Sequence, residues 1–301
     1  MRTAFLGTSE YGVAVLERLA AGEHRPVLAV APPDRPRGRG RRSAPPPVAR
    51  AARELGIELL QTADASDPGA CERIRAAGAQ AGIVCAFGQL LREPLLSALE
   101  LLNVHPSLLP RWRGAAPIER AIMAADAETG VTIMRVCERL DSGPIALQES
   151  IPIGSDDFGA LAARLGRLGG ELLSRALDRL AEGRLELVAQ DETEATYAEK
   201  IEPAERRLDP GRPAGELERV VRALTPHVGA YLDLDTGGPL AVLAADAEPG
   251  VEIAEGELAA GDGLLLGCAE GALRLRRVRP AGGTEMDADA YLRGHPLPRL
   301  A

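Results

Sequence analysis

Short apolar runs alternate with stretches whose apolar residues recur every third or fourth position, and that alternation organises most of the chain. Thr3 to Thr8 reads as a buried strand, Gly7 permits a tight turn, Glu10 to Ala21 reads as a helix, and Pro26 to Val30 is the next strand. Such a strand–turn–helix–strand opening predicts an α/β domain with a doubly wound, mostly parallel sheet. Val48 to Leu55 and Cys71 to Ala77 read as helices. Ala81 to Phe87 is apolar throughout, as a strand covered on both faces should be. Leu99 to Val104 reads as a strand end, stopped by Pro106, which has no amide to donate. A helix over Ala115 to Ala124 and strands over Gly130 to Val136 and Pro144 to Ile153 follow. Ser155-Asp156 then reads as the cap of a long helix with apolar residues at Phe158, Leu161, Leu165, Leu168, Leu172, Ala176 and Leu180, closed by Gly183.

Periodicity is lost from 190 to 215, where Pro203, Pro210, Gly211, Pro213 and Gly215 mark a linker. A helix at Ala214 to Leu224 is followed by strand-like runs near 230, 240, 252, 264 and 273, separated by glycines. That spacing predicts a small antiparallel β-barrel. The expected organisation is a catalytic α/β domain over 1–203 and a barrel domain over 204–301.

Composition changes the picture only locally. With 46% hydrophobic and 26% charged residues the chain is ordinary for a globular protein. The net charge of −9 argues against general nucleic-acid affinity but permits a local basic patch. Cys71, Cys85, Cys137 and Cys268 show no C-x-x-C pair or zinc spacing, so buried reduced thiols are expected, three of them in strands, and no metal. No apolar run reaches the ~18 residues of a membrane span, and no signal segment opens the chain. A cytoplasmic monomer without membrane contact is expected. Residues 32 to 47 break the acidic pattern with Arg35, Arg37, Arg39, Arg41 and Arg42 between flanking prolines. Without an apolar anchor this segment reads as a mobile surface loop, either a solvated charge run or a contact for phosphates. Arg274, Arg276, Arg277 and Arg279 add a basic strip to the second domain.

Candidate chemistry concentrates at 103 to 117, Asn-Val-His-Pro-Ser-Leu-Leu-Pro-Arg-Trp-Arg-Gly-Ala-Ala-Pro. Asn103 and His105 leave the same face of a strand end. They either satisfy backbone groups there or polarise a carbonyl oxygen, the amide through a fixed donor and the imidazole through an exchangeable proton. Asp141, in Leu140-Asp141-Ser142-Gly143, is a turn former or a matching carboxylate. Gly7 to Gly12 is not a G-x-G-x-x-G, which weakens a dinucleotide site.

These strings resemble the signature of the formyl-folate-dependent transferase family, from about Phe5 to Tyr231. The resemblance implies 10-formyltetrahydrofolate as co-substrate, with Asn103, His105 and Asp141 catalytic. It implies that Ser107, Leu108, Leu109, Pro110, Phe87 and Gly88 line the folate site. Asn103 and His105 would stabilise an oxyanion, and Asp141 would orient or charge the imidazole and accept a proton from the attacking amine. The Arg-Gly-Ala-Ala-Pro ending, Gln190-Asp191-Glu192-Thr193 and Ala195 to Ile201 are similar to the branch of the family whose acceptor is methionyl initiator tRNA. On that match the five arginines of 35 to 42 are expected to grip the tRNA acceptor end, Arg39 foremost, and the barrel is expected to be OB-like. A sugar nucleotide or glycinamide ribonucleotide acceptor is the alternative within the family. An oxidoreductase or a non-catalytic RNA-binding module is the alternative outside it.

Overall fold

Strand β1 (Thr3–Gly7) is buried along its whole length, which is what an apolar strand in the middle of a covered sheet requires. The computed structural model describes residues 1–37, 42–235 and 238–301. They form two units. The first comprises Met1–Pro117, Glu128–Pro152 and Ala162–Ala198, and the second comprises Ile118–Ala127, Ile153–Leu161 and Glu199–Ala301.

After β1 the chain forms α1 (Glu10–Ala20), capped by the Ser9 hydroxyl, which accepts from the Gly12 amide. Then come β2 (Pro26–Ala31), β3 (Arg35–Arg37), β4 (Arg42–Ala44) and α2 (Pro47–Glu54). β5 (Glu58–Gln61) precedes α3 (Pro68–Ala76), whose Asp67 cap accepts from the amides of Gly69 and Ala70. β6 (Ala81–Cys85), α4 (Leu95–Ala98), β7 (Glu100–His105), β8 (Arg113–Gly114) and α5 (Pro117–Met123) follow. β9 (Glu128–Arg135), β10 (Ile145–Pro152), α6 (Phe158–Ala181) and β11 (Tyr197–Ala198) come next. The 7-stranded sheet has the order β10-β9-β7-β6-β1-β2-β5. It is parallel from β7 to β5 and antiparallel where β9 meets β7 and β10. The strand order reverses between β1 and β6, the switch point at which α/β sheets open a crevice at their carboxyl ends.

Several expectations change. β5 was not predicted: it is a half-exposed edge strand without an apolar run. The cap of α6 is Asp157, which accepts from the Ala160 amide at 2.8 Å, and not Ser155-Asp156. α5 begins at Pro117, because Ala115 and Ala116 donate their amides to the Ala198 carbonyl. Only Cys85 lies within a strand; Cys71 is in α3, while Cys137 and Cys268 follow β9 and β15. All four are free thiols, Cys137 half-buried and the others buried. β3 and β4 pair as an antiparallel ribbon, with Arg37 opposite Arg42, where the sequence reading expected no regular element. Backbone pairing needs no apolar anchor, so composition was a poor guide there.

In the second unit, α7 (Ala214–Leu224) is followed by β12 (Ala230–Leu234), β13 (Gly238–Glu248), β14 (Leu258–Gly261), β15 (Gly263–Gly267), β16 (Ala272–Arg279), β17 (Met286–Asp287) and α8 (Ala288–Gly294). The sheet runs β12-β13-β16-β15-β14, with β17 on β16, and curls as an OB-like antiparallel half-barrel. Its core holds Leu217, Val221, Leu224, Leu232, Val242, Leu264, Leu273 and Leu275. The run near 252 is not a strand, because the Val251 amide turns back onto the Glu248 carbonyl. Nor is the arginine strip a free cationic face. Arg274 meets Glu248 and Asp262, Arg276 meets Asp246, and Arg277 meets Glu285. Cross-strand pairing brings carboxylates from β13 beside β16, which no count along one strand reveals.

Candidate active site

β7 ends at the crevice, and its pairing sets the register: Val84 of β6 lies beside Asn103, and Thr132 of β9 beside His105. Asn103 and His105 are both buried. Asp141 reaches them from the turn between β9 and β10. Its Oδ1 accepts from Asn103 Nδ2 at 3.2 Å and its Oδ2 from the Gly114 amide at 2.9 Å. Oδ2 also lies 3.7 Å from His105 Nδ1, an ion-pair distance too long for a direct hydrogen bond. His105 Nε2 is 2.9 Å from the Trp112 carbonyl. A carbonyl only accepts, so Nε2 carries a proton and Nδ1 is the ring atom left to take or give one. The three predicted catalytic residues are thus one cluster, formed by the end of β7 and the turn between β9 and β10.

The turn is held under constraint. Asp141 has φ +47°, in the left-handed region. At Gly143 an added Cβ would fall 1.8 Å from the Arg135 carbonyl oxygen, so only glycine fits there.

The predicted folate-lining loop is wired to β9 and β10. Thr132 Oγ1 donates to the Ser107 carbonyl at 2.7 Å and accepts from the Leu109 amide at 3.1 Å. Gln148 Nε2 donates to the Leu109 carbonyl, and Ser107 Oγ to the Arg111 carbonyl. The Leu108 and Pro110 carbonyls accept from the Arg111 and Thr196 amides. These backbone groups are thus committed to partners within the protein. Phe87 belongs to a hydrophobic cluster with Leu91, Leu95 and Leu101, and its carbonyl accepts from Thr8 Oγ1 at 2.6 Å. Gly88, at φ +73° with open space where a Cβ would stand, leaves that strand end accessible.

Of the predicted tRNA contacts, Arg35 is exposed on β3. Arg37 and Arg42 face each other in the ribbon's backbone register. Arg39 and Arg41 lie outside the described residues. Among the described residues no group of three or more His, Cys, Asp and Glu side chains is arranged to hold a metal. Nor is any described helix long and apolar enough to cross a membrane.

Sequence reasoning gave no role to Arg113, Gln190 or Glu192. The buried Arg113 guanidinium donates to Gln190 Oε1 and to both Glu192 oxygens. Gln190 Nε2 donates to the Asp141 and Gly143 carbonyls. The only signal available was that all three sit in strings quoted for the family resemblance.

The formyl transferase family profile matches residues 1–177, and that of the formyl transferase C-terminal domain matches 200–296. The chain belongs to the formyl transferase family. It is similar to the methionyl-tRNA formyltransferase of Methylococcus capsulatus, 43% identical over 302 residues that cover 99% of this chain and 98% of that protein. A crystal structure of HypX from Aquifex aeolicus in complex with tetrahydrofolic acid has the same fold, with a TM-score of 0.67 at 17% identity over 97% of this chain and 47% of that one. So does methionyl-tRNA formyltransferase from Clostridium thermocellum, with a TM-score of 0.59 at 13% identity over 83% of this chain and 95% of that one.

Proposed function

We propose that this chain transfers the formyl group of 10-formyltetrahydrofolate to the α-amine of methionyl initiator tRNA. The observation that carries the reading is the Asn103–His105–Asp141 cluster, in a chain 43% identical to a methionyl-tRNA formyltransferase over nearly its full length. The folate supplies an acyl group already bonded to nitrogen. The neutral amine forms a bond to the formyl carbon, the bond to N10 breaks, and the proton leaving the amine ends on N10.

Asn103 Nδ2 has two hydrogens, one committed to Asp141 and the other able to donate to the oxyanion that develops on the formyl oxygen. His105, with Nε2–H held by Trp112, assists through a proton on Nδ1. Asp141 accepts the proton of the attacking amine. Ser107 to Pro110 and the backbone of Phe87-Gly88 form the folate wall. The arginines at 35, 37, 39, 41 and 42 contact the acceptor end, residues 1–203 form the catalytic domain, and residues 204–301 form a second, tRNA-binding domain. The chain acts as a monomer in the cytoplasm.

The test is incubation of the purified protein with 10-formyltetrahydrofolate and charged initiator tRNA, then analysis of the released amino acid. N-formylmethionine is expected. Formylation of an amino sugar nucleotide or glycinamide ribonucleotide, with methionyl-tRNA left unmodified, would overturn the reading.

A further inference from the structure

We infer that Gln190, braced by Arg113, is a positioning residue that holds Asp141 in its working geometry, an inference that rests on the function proposed above. Asp141 has φ +47°, in the left-handed region, which aspartate enters at modest cost and which still has to be held in a single geometry. Gln190 holds it. Its Nε2 donates to the Asp141 carbonyl at 2.9 Å and to the Gly143 carbonyl at 2.7 Å, which clamps both sides of the turn. Its Oε1 accepts from Arg113 Nε at 3.0 Å and Nη2 at 2.8 Å. A guanidinium only donates and carbonyls only accept, so the amide has a single workable orientation.

Arg113 also acts through its neighbour. The next amide, Gly114, donates to Asp141 Oδ2 at 2.9 Å. Main chain and carboxylate of Asp141 are therefore both referred to one dipeptide, the first through Gln190 and the second directly. A fully buried guanidinium needs a counter-charge. Glu192 supplies it, with Oε1 and Oε2 at 3.0 and 3.1 Å from Arg113. Glu192 Oε2 is also 2.9 Å from Arg139, just before the Asp141 turn. Hydrogen bonds from Arg113 and Arg139 draw the Glu192 carboxyl down to about 2. It therefore stays ionised across the working range, and the brace does not titrate with the chemistry.

Two substitutions separate bracing from packing. Gln190→Leu removes donor and acceptor together. Gln190→Glu keeps the shape and the acceptor for Arg113 but loses both N–H donors to the turn. In each variant, with the fold verified by circular dichroism, kcat should fall roughly 10- to 100-fold. KM for folate and for tRNA should stay unchanged. Hydrogen exchange at the Gly114 amide, followed by NMR, should accelerate in both, because its acceptor is no longer held. A folded Gln190→Glu with wild-type kcat and unchanged Gly114 exchange would overturn the inference, as would a change confined to KM. If the wild-type protein fails to formylate methionyl-tRNA, the functional reading falls, while Gly114 exchange still decides whether Gln190 holds Asp141.

Discussion

Both Asp141 oxygens accept hydrogen bonds from groups that can only donate, the Asn103 amide nitrogen and the Gly114 N–H. Asp141→Asn therefore either turns an NH2 group towards one of these donors or makes the Asn103 amide flip and withdraw its own NH2, besides losing its capacity as a base. Asn103→Ala removes the proposed oxyanion donor and leaves one carboxylate oxygen short of a partner. Each should lower kcat on the order of 10²-fold or more, the scale for one lost oxyanion donor. The double variant should lose less than the product of the two, because the residues share a hydrogen bond. Folate affinity should be unchanged. Equilibrium dialysis against folate checks this in every variant. Turnover near wild type in either single variant would remove that residue from the mechanism.

Helix α6 was read from its leucines, but its glycines make the closest contacts. Leu168 and Leu180 of the predicted stripe are only half-buried, whereas Gly166, Gly169 and Gly170 are buried. An added Cβ at Gly166 would stand 2.8 Å from Ala14 Cβ of α1, and one at Gly170 2.7 Å from Arg18 Cβ. Small residues let the two helices approach, so Gly166→Val should force them apart. The expected cost is roughly 1–3 kcal/mol, read as a lower urea midpoint; an unchanged midpoint would mean the helices separate freely. The arginine segment gives a different kind of test. If it grips RNA, Arg39→Ala should lower kcat/KM for methionyl-tRNA by roughly 1–3 kcal/mol and leave folate binding alone. Removing all five arginines should also flatten the salt dependence of tRNA affinity. Intact tRNA kinetics in that variant would leave the second domain as the main contact.

Buried thiols and the arginine-paired Glu192 each contribute to how the stability of the chain depends on pH. Burial pushes the Cys268 thiol from its ordinary 9.0 to about 11, and it raises Cys71 and Cys85 as well. A thiol that holds its proton more tightly when folded contributes stability that is present below 9.0 and is lost as pH climbs towards about 11. At the acid end, hydrogen bonds from arginines draw Glu192 from its ordinary 4.5 to about 2. Its contribution is present above 4.5 and is lost as pH falls towards about 2. Solvent exposure makes that share small. Urea midpoints should form a plateau between these limits and fall on both sides. In the native protein a thiol reagent at neutral pH should find Cys137, half-buried, before the buried three. Rapid labelling of Cys85 or Cys268 would contradict the burial that raises them.

Local pattern alone determined the class of the first unit, since alternating strands and helices with fully apolar strands allow little besides a covered parallel sheet. It also placed Asn103 and His105 at a strand end, because proline and side-chain alternation are local facts, and the motifs at 103–117 and 140–143 carried the family. Edges and partners lay beyond it. β5 has no apolar run, α6 contacts α1 through glycines, and the arginines of β16 meet carboxylates brought by another strand. The same holds for the site. Asp141 is 38 residues from Asn103, and Gln190 is 49 residues from Asp141. Which carboxylate meets which amide, and what braces it, is set by strand order and register. Those are properties of the packed sheet, which the spacing of residues along the chain does not encode.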